Sequence, residues 1–559
     1  MTGMRSRLRL LLGALLLLAS LSLLVSCGEY TRDFYVTPSK TEVAYGESIT
    51  LENEDPDTLL SSWSFTCSSG FVLDKVEGDT FTVTPTEEGT LYLRLTANDG
   101  GPKSQWIKIT VTRREETVST PEQLLAATDA SVRYILANDI DLAGVTDHTP
   151  FVFCGALDGR GHTIRGFTYT PTELVKDKSL GLFSENSGII ENVTIEGASV
   201  GIYSEAASAG ILVGVNNGKI RNVTVKGFLA AEQTNHVGGL CGINNGRIEH
   251  CVSEATVEGK EMTGGIAGSS VSAINGSENR GFVEGTSAVG GIVGRVTSAC
   301  TVAGNKNSGE VVGTTYVGGI IGTTDETAIV QINSCENSGE VAGTTYVGGI
   351  VGYGKSAAVF GCQNGGVINA LSNYAGGIAG NVFSARRCEN GGAVSAEGRD
   401  LTASNGYFAV YVGGIAGYAR EASECTNRQR IEMMAASGSY IGGVIGYLDG
   451  TGTGQKLNNN KNEGEITTAI SAKYVGGVMG YVKNAALRGT VNEGDVNGGA
   501  STAGVVGYLE SGGLYFTTNR GAIRAPGETY EICFHSNTES ATIFESVTEG
   551  ETANREDTQ

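Results

Sequence analysis

The sequence predicts an all-β protein in which a small β-sandwich precedes a long right-handed parallel β-helix, or solenoid. The first observation is the string Val-Gly-Gly-Ile-Val-Gly at residues 347–352, near-copies of which recur from about residue 180 to about residue 508. Self-similarity at a period of about 28 residues is typical of a solenoid whose coils bury apolar residues against their neighbours. The second is an alternation of apolar and polar residues before residue 112, typical of half-buried strands. The 83 glycines among 559 residues, with only 8 prolines, indicate many tight turns.

The first 27 residues predict export and attachment to a membrane. Three arginines precede an apolar run at residues 10–24, which is too short for a typical membrane span. The string Leu-Val-Ser-Cys that ends at Cys27 resembles the lipobox of bacterial lipoproteins, which implies removal of residues 1–26 and acylation of Cys27. An ordinary signal peptide or an uncleaved anchor is the alternative. The residue after the cysteine is Gly28 and not an aspartate. We therefore expect anchoring in the outer membrane of the cell envelope, with the chain exposed at the surface.

Residues 27–113 are predicted to form the sandwich. Short strands are expected where every second residue is apolar, at residues 48–51, 63–67, 80–84, 91–95 and 106–111. The region looks like the immunoglobulin-like modules of bacterial surface proteins, although it lacks the paired cysteines of antibody domains. The resemblance implies a spacer or a binding module and no chemistry.

Residues 114–132 are predicted to be a linker and a capping helix. Thr120 is the expected N-cap, Pro121 the first helical residue, and Gln123 completes a capping box. A solenoid needs a cover over its first layer, because an open end would leave core side chains in water and strand edges unpaired. We expect this helix to be that cover.

Residues 133–526 are predicted to form the solenoid. Each unit places a Gly-Gly pair on one strand, and an Asn-x-Gly turn followed by a short β-prone run on another. The pair or its equivalent begins at Leu180, Ala209, Gly238, Gly264, Gly290, Gly318, Gly348, Gly376, Gly413, Gly442, Gly476 and Ala503. The turn asparagines are Asn279, Asn307, Asn337, Asn364, Asn390, Asn427, Asn462, Asn492 and Asn519. Asparagine tolerates left-handed backbone and can hydrogen-bond to its copy one layer away, so we expect a stacked asparagine file.

Five of the 11 cysteines share one register of the repeat: Cys251, Cys335, Cys362, Cys388 and Cys425. We interpret them as an inward stack of small apolar side chains. Parallel Cβ directions would disfavour disulfides between adjacent layers, so we expect most of these thiols to be buried and reduced.

The units resemble the GLUG repeat of bacterial surface proteins, whose core string is matched at residues 289–294 and 347–352. Residues 137–164 look like the segment that opens such repeats, and the likeness covers about residues 120–525. The family includes adhesins and the non-catalytic part of immunoglobulin-A-cleaving metallopeptidases. The resemblance therefore implies contact with an extracellular glycan or glycoprotein. Residues 527–559 are predicted to be a last strand and a disordered acidic tail.

The charge and the motifs exclude several classes of function. A net charge of −21 repels phosphate backbones and argues against a nucleic-acid partner. Five histidines without metallopeptidase spacing, and glycines that are periodic, predict no metal and no cofactor. We therefore expect a non-catalytic protein that acts as an adhesin or a ligand-binding protein.

A polysaccharide-degrading β-helix enzyme, a lyase or a hydrolase, is the main alternative. Such an enzyme needs clustered acids or a Ca²⁺ site with a base along the side of the helix. The candidate groups are Asp139, Asp141, Asp158 and His162 in the opening segment, and Glu310, Glu340, Glu465 and Asp495 at one repeat position. Turn chemistry explains the first set and a solvated edge explains the second. A purely structural surface stalk is the second alternative.

Tyrosines provide the candidate binding surface. One set precedes the glycine pair by two positions: Tyr316, Tyr346, Tyr374, Tyr411, Tyr440 and Tyr474. Another follows it by five: Tyr353, Tyr418, Tyr447, Tyr481 and Tyr508. Exposed tyrosine offers flat apolar area at low entropy cost, and Tyr346, Tyr411 and Tyr440 are the predicted ligand contacts. The alternative is that the rings cover coil edges. The longer steps from Gly376 to Gly413 and from Gly442 to Gly476 predict inserted loops that could also form a site.

Overall fold

The computed structural model describes residues 34–54, 63–98, 101–371, 373–398, 410–434, 438–450, 456–534, 541–544, 546–548 and 552–554. The chain divides into two compact units. The first holds the described residues up to Glu116 together with Ala130–Arg133. The second holds Thr117–Asp129 and the described residues from Tyr134 onwards.

The first unit consists of short strands in three small sheets. The strands are β1 (Val36–Pro38), β2 (Glu42–Ala44), β3 (Ile49–Asn53), β4 (Phe65–Cys67), β5 (Phe71–Glu77), β6 (Thr80–Pro85), β7 (Gly89–Leu93), β8 (Leu95–Ala97) and β9 (Ile107–Thr112). The sheet orders are β1-β3-β6-β5, β2-β9-β7 and β4-β8. All pairings are antiparallel except that of β2 with β9.

A shared apolar core holds this unit together. The rings of Phe34, Phe65 and Phe81 meet at its centre, with centroids 5.6 Å apart for the first two and 5.1 Å apart for the last two. Strands lie at all five positions that alternation predicts. The strand β5 was not predicted, because only its first residue is buried and alternation is therefore invisible. The unit is thus all-β with small antiparallel sheets, and its immunoglobulin-like topology stays a prediction.

The predicted helix is present as α1 (Pro121–Leu125). The Thr120 side chain accepts a hydrogen bond from the Gln123 backbone N–H, and the Gln123 side chain accepts one from the Thr120 N–H. Leu124 and Ala127 are fully buried. The capping-box prediction is therefore confirmed, and the buried face of α1 lies in the solenoid unit.

The second unit is a parallel β-solenoid in which each coil contributes short strands to five stacked ladders. The strand Arg114–Val118 and the strands Val132–Leu136 and Ile140–Asp141 lead into it. Ladder 1 is a continuous sheet of 13 parallel strands that carries the glycine pairs. Its strands are Ser179–Leu180, Ser208–Gly210, His236–Gly238, Met262–Gly264, Ser287–Gly290, Thr315–Gly318, Thr345–Gly348, Tyr374–Gly376, Val410–Gly413, Ser439–Gly442, Tyr474–Gly476, Ser501–Ala503 and Glu528–Tyr530.

Ladder 2 follows the glycine turn of each coil, and ladder 3 follows ladder 2. Ladder 2 comprises Phe151–Phe153, Phe183–Asn186, Val213–Asn216, Cys241–Asn244, Ala267–Ser270, Val293–Val296, Ile321–Thr324, Val351–Phe360, Ala379–Arg386, Ala416–Ser423, Ile445–Asp449, Met479–Lys483 and Val506–Leu509. Ladder 3 comprises Ala156–Asp158, Ile189–Gly201, Lys219–Ala230, Arg247–Glu249, Ile274–Asn275, Thr301–Ala303, Gln331–Asn333, the ends of the three longest ladder 2 strands, and then Lys456–Asn458, Ala485–Arg488, Gly512–Tyr515 and Ala541–Phe544.

Ladders 4 and 5 complete each coil. Ladder 4 comprises Thr163–Arg165, the middle of the two long strands from Ile189 and Lys219, Val252–Glu258, Glu278–Asn279, Lys306–Asn307, Glu336–Asn337, Gln363–Asn364, Glu389–Asn390, Thr426–Asn427, Lys461–Asn462, Val491–Asn492, Thr518–Asn519 and Val547–Thr548. Ladder 5 comprises Thr168–Tyr169, the ends of the same long strands, the end of Val252–Glu258, Val283–Glu284, Val311–Val312, Val341–Gly343, Ile368–Ala370, Val394–Ala396, Ile431–Met433, Ile466–Thr468, Val496–Asn497, Ile523–Ala525 and Thr552–Asn554.

These ladders confirm the parallel solenoid, while its right-handedness stays a prediction. The core between ladders 1 and 5 is a stack of aliphatic side chains, exemplified by Val317, Val347, Val311 and Val341. Strand pairing continues past residue 526, because Ala541–Phe544, Val547–Thr548 and Thr552–Asn554 each pair in parallel with the coil before them. Residues 555–559 lie outside the described part of the chain.

The asparagine file on ladder 4 is present as predicted. From Asn279 to Asn519, each side-chain amide donates to the side-chain oxygen of its copy in the next coil at 2.8–2.9 Å. The prediction that these asparagines have a left-handed backbone is wrong. Left-handed residues such as Ser334 and Gly361, with φ of 51° and 62°, stand three positions earlier, at the turn from ladder 3 to ladder 4. The file therefore depends on side-chain hydrogen bonding alone.

The glycine pair and the asparagine file recur in step because they touch across the core. A Cβ on Gly349 would lie 2.4 Å from Cγ of Asn364 and 2.2 Å from the carbonyl oxygen of Gly377 in the next coil. The same clash recurs at Gly319 with Asn337 and with Gly349. In the nine coils from Gly265 to Gly504, the second glycine of the pair is thus required by the close approach of a buried carboxamide.

The cysteine expectation is also confirmed. All ten cysteines among the described residues are free, and Cys251, Cys335, Cys362, Cys388 and Cys425 are buried. Burial raises the pKa of the Cys251 thiol to about 12, which disfavours the reactive thiolate. These five side chains fill one edge of the core.

Among the described residues, no helix has the length and apolar character that a membrane crossing requires.

Candidate ligand-binding face

The tyrosines of ladder 1 form a column of stacked rings. The rings of Tyr346 and Tyr374 lie 4.3 Å apart with planes at 7°, and those of Tyr374 and Tyr411 lie 4.6 Å apart at 15°. Tyr411 and Tyr440 continue the column at 5.1 Å and 8°. The predicted contact residues Tyr346, Tyr411 and Tyr440 therefore belong to one continuous row, whose spacing follows the spacing of neighbouring strands.

The tyrosines of ladder 2 form a second column with one gap. Tyr447 and Tyr481 stack at 4.8 Å and 7°, and Tyr481 and Tyr508 at 5.0 Å and 14°. The strand that separates Tyr353 from Tyr418 carries Asn381 at the equivalent position. This asparagine interrupts the column.

The two columns pack against each other edge to face. The ring of Tyr440 lies 5.4 Å from Tyr447 and 5.2 Å from Tyr481, with planes at 84° and 87°. Tyr346 meets Tyr353 in the same way, at 5.0 Å and 79°. The two columns together form one aromatic surface, called the tyrosine face below.

The geometry changes what the tyrosine face can offer to a ligand. Every ring in the columns is half-buried, and consecutive rings cover each other's flat faces. Hydroxyls of the second column reach the surface, where Tyr353 donates to Glu326 at 3.4 Å and Tyr481 donates to Glu510 at 2.5 Å. The surface available to a ligand is a row of ring edges and phenol hydroxyls. The flat, exposed ring faces expected from the tyrosine spacing are therefore not what a ligand would meet along the columns.

Burial and neighbouring charge keep these phenols protonated. Burial is the main cause that raises the pKa of Tyr346, Tyr411 and Tyr440, and neighbouring phenols add to it. Burial, followed by the Glu326 carboxylate, raises the pKa of Tyr353 to about 12. The phenols therefore stay protonated at any physiological pH, although Tyr353 and Tyr481 already donate their protons to Glu326 and Glu510.

The backbone of the tyrosine face is unusual in three successive coils. Ala288, Tyr316 and Tyr346 have φ of 51°, 56° and 56°, in the left-handed region. A bulky side chain rarely occupies this region. Each of the three residues is skipped in the register of ladder 1, since Ser287 pairs with Thr315 and Val289 with Val317. The first rings of the column therefore stand at a left-handed kink that the three strands share, and pairing resumes after it in the same register.

A charged row that was not predicted from the sequence lies beside the tyrosine face. A charged residue stands two positions after each tyrosine of the second column: Lys355, Arg420, Asp449, Lys483 and Glu510. Lys355 pairs with Glu326 at 2.8 Å, and Lys483 with Glu510 at 3.3 Å. Because strand side chains alternate with a period of two, the string Tyr-x-charged was the signal that could have revealed this row.

The acids of the opening segment are only partly brought together. Asp139 lies 3.4 Å from the His162 ring, accepts a hydrogen bond from the Thr163 N–H and pairs with Arg165. The Thr163 hydrogen bond is the first cause of the lowered pKa of Asp139. Asp141 caps the backbone N–H of Ala143 at 2.9 Å.

Asp158, the third acid of this segment, accepts hydrogen bonds from the Arg160 N–H at 3.0 Å and from the Asn192 side chain at 3.1 Å. The carboxylates of Asp141 and Asp158 therefore stabilise backbone turns. Only Asp139 and His162 come into contact with each other.

The acids at the repeat position each follow an asparagine turn and face outwards. Glu340 accepts a hydrogen bond from Asn369 at 2.6 Å, and Glu465 accepts one from Asn497 at 2.6 Å. Asp495 pairs with Arg524 at 2.8 Å, and this pairing is the first cause of its lowered pKa. Glu310 is exposed in the same register. The row is a polar edge of the solenoid in which three of the four carboxylates have a partner.

Two predicted features fall outside the described residues. These are Cys27 and the inserted loops, most of which occupy residues 399–409 and 451–455. Within the described ranges, no group of three or more His, Cys, Asp or Glu side chains is arranged to hold a metal ion.

The fold and the tyrosine face define a β-solenoid protein with an aromatic surface. No family model matches the chain. A stretch of 106 residues is 41% identical to halomucin from Haloquadratum walsbyi; it makes up 19% of this chain and 1% of halomucin, so the chain spans a very small part of that protein. The fold is similar to a crystal structure from Bacteroides ovatus described as a candidate immunoglobulin A1 protease. That likeness has 21% identity, a TM-score of 0.33, and coverage of 46% of this chain and 77% of the other.

Proposed function

We propose that the protein is a lipoprotein of the bacterial cell surface that binds an extracellular glycan or glycoprotein without catalysis. Acylated Cys27 anchors the mature chain in the outer membrane. The first unit is an immunoglobulin-like spacer, and the GLUG-type right-handed solenoid presents the tyrosine face.

The continuity of the tyrosine face is the observation that carries this proposal. The columns place phenol hydroxyls in successive coils, flanked by the charged row that begins at Lys355. A repetitive ligand such as a glycan chain can accept hydrogen bonds from such a row at many points at once, so that weak single contacts add up. Half-buried rings also lose little side-chain entropy when a ligand binds.

The protonated phenols suit sugar hydroxyls and carbonyl groups as partners. Since the flat ring faces are already covered, binding through the columns depends on ring edges and hydroxyls. Stacking of a sugar ring on an exposed aromatic face is left to the column ends. The tyrosine face should therefore bind a polar, extended ligand more tightly than a compact, apolar one.

Two triple variants test the proposal against immobilised mucin glycoprotein. Replacing Tyr346, Tyr411 and Tyr440 by phenylalanine removes three hydroxyls and keeps the stack, whereas replacing them by serine removes the rings as well. We expect retention to fall about tenfold with phenylalanine and further with serine. The matched control is Tyr203→Phe, at an exposed tyrosine outside the columns. If both triple variants retain mucin as well as the unaltered chain while remaining folded, the tyrosine face is only a cover for coil edges.

A further inference from the structure

A second aromatic surface lies on the first unit, on the outward side of the sheet β2-β9-β7. Tyr92 on β7 pairs with Lys108 on β9, and Leu93 pairs with Ile107. Leu93 and Ile107 are buried in the core, so the alternation of the strands turns Tyr92 and Lys108 outwards. Trp106 lies two residues before Lys108, on the same side.

The exposure of the two rings is large for such residues. Tyr92 is 58% exposed and Trp106 is 57% exposed. Single apolar side chains on a surface are normal, but two aromatic rings at one sheet face, Tyr92 on β7 and Trp106 directly before β9, present a contiguous area. Residues diagonal to each other across a strand pair lie about 7–8 Å apart, within reach of one pyranose unit or two.

Each ring has a cation as its neighbour, Arg94 over Trp106 and Lys108 opposite Tyr92. The guanidinium carbon of Arg94 lies 5.4 Å from the centre of the Trp106 ring, and Arg94 Nε donates to the Ser104 carbonyl oxygen at 2.9 Å. These two contacts hold the Arg94 side chain in place over the indole, so that a ligand finds it already oriented. Lys108 is exposed beside Tyr92.

The charge at this end of the sheet face is positive, whereas the net charge of the chain is negative. The whole protein carries −21, which repels a polyanion over most of its surface. On this sheet face Glu42 is the acidic residue, and it lies on β2 opposite Thr110, beyond Lys108. A polyanion would therefore be steered towards the edge that holds Arg94, Trp106 and Lys108.

We propose that Tyr92, Arg94, Trp106 and Lys108 form a binding platform for a uronic-acid polysaccharide. The ring of Tyr92 and the face of Trp106 that Arg94 leaves uncovered stack on pyranose units. The Arg94 fork and the Lys108 ammonium bind the carboxylates of the sugars. The platform contains no residue of the tyrosine face and extends the proposed function to a second, anionic ligand.

Binding of the full chain to polygalacturonate, measured by calorimetry, tests the platform. We expect Trp106→Ala and Tyr92→Ala each to weaken binding about tenfold, and Lys108→Gln to weaken it about threefold. Raising the salt concentration should weaken binding by the unaltered chain, and the Lys108→Gln variant should show a smaller salt effect.

Matched controls separate the platform from general effects. Tyr203→Ala removes another exposed tyrosine, and Lys75→Gln removes an exposed lysine on β5 in the four-stranded sheet of the same unit. Both should bind as the unaltered chain does, and circular dichroism should show all variants folded. The proposal is overturned by absent binding to polygalacturonate, by equal binding to neutral dextran, by tighter binding to dextran sulfate, which carries no uronic acid, or by unchanged binding of folded Trp106→Ala. Loss of binding in the Tyr346, Tyr411 and Tyr440 variants alone would assign the polyuronate to the tyrosine face instead.

Discussion

The side-chain amide of Asn337 donates a hydrogen bond of 2.8 Å to the side-chain oxygen of Asn364 in the following coil. Asn364 in turn donates to Asn390 at 2.8 Å and to the Gly366 carbonyl at 2.8 Å, all inside the core. A buried polar group is tolerated only when it is hydrogen-bonded, so each member of the file depends on its neighbours.

The first prediction concerns this file. Asn364→Ala should lower the free energy of unfolding by about 2 kcal/mol, because it removes hydrogen bonds and leaves the groups of Asn337 and Asn390 short of a partner. Urea unfolding followed by circular dichroism measures the change. The neighbouring exposed residue provides the control, since Gln363→Ala should change stability by less than about 0.5 kcal/mol. Equal effects of the two substitutions would contradict the role given to the file.

The second prediction concerns the gap in the tyrosine column. Asn381→Tyr should raise the melting temperature, because a ring between Tyr353 and Tyr418 gains two stacking partners, each contributing about 0.5–1.5 kcal/mol. Ser395→Tyr, at a half-buried position of ladder 5 that pairs with Asn369 and Glu432, should bring no such gain. Thermal unfolding of both variants distinguishes column completion from a general effect of tyrosine. A lower melting temperature for Asn381→Tyr would show that the gap has a steric cause.

The third prediction concerns alkaline pH. The pKa of Tyr353 is raised to about 12 in the folded chain by burial and Glu326, whereas tyrosine in an unfolded chain titrates near about 10. The folded state therefore holds more protons than the unfolded state between these values, so stability is fully present below about pH 10 and falls as pH rises towards about 12. Melting temperatures across this range should fall less steeply in Tyr353→Phe than in the unaltered chain. Parallel profiles would mean that Tyr353 titrates normally.

The fourth prediction concerns thiol reactivity. In the folded chain, iodoacetamide should label the half-buried thiols of Cys67, Cys154 and Cys300 before the buried Cys362 and Cys388. Urea should make all of them reactive, which peptide mapping by mass spectrometry can follow. Rapid labelling of Cys362 or Cys388 without urea would show that the solenoid opens locally at this edge.

The fifth prediction concerns the anchor. Cys27→Ser should abolish incorporation of labelled palmitate and move the protein from the membrane fraction to the soluble fraction, because in the proposed lipoprotein only acyl chains on Cys27 hold the mature chain to the membrane. Ser26→Ala, which leaves the acylated residue in place, serves as the control. A Cys27→Ser protein that still sediments with membranes would indicate an uncleaved apolar anchor or a tightly held partner.

Periodicity made much of the fold readable from the sequence. Residues that recur from coil to coil, such as Asn364 and Gly348, predicted both the solenoid and the side-chain hydrogen bonds between its layers. The capping box at Thr120 was legible because its chemistry is local. Contacts across the core could not be predicted from the sequence, because the approach of Gly349 to Asn364 depends on how the coil closes.

The tyrosine face shows the same division. Its residues were predictable from their spacing, but the stacking that covers the flat ring faces required the distance between Tyr346 and Tyr374. The partner Glu326 of Tyr353 escaped prediction because it belongs to a stretch that departs from the repeat. Residues outside the period carry no signal until the coils are placed side by side.

The contact between Gly349 and Asn364 has a consequence for how such a chain can change over generations. Both residues belong to the same coil, and the carboxamide presents a donor to the next layer and an acceptor to the previous one. A duplicated or deleted coil therefore brings its own matching surfaces and disturbs only its two new neighbours. Unequal recombination between the repeats could lengthen or shorten the molecule in whole-coil steps. The number of tyrosines in the tyrosine face would then rise or fall together with the number of coils.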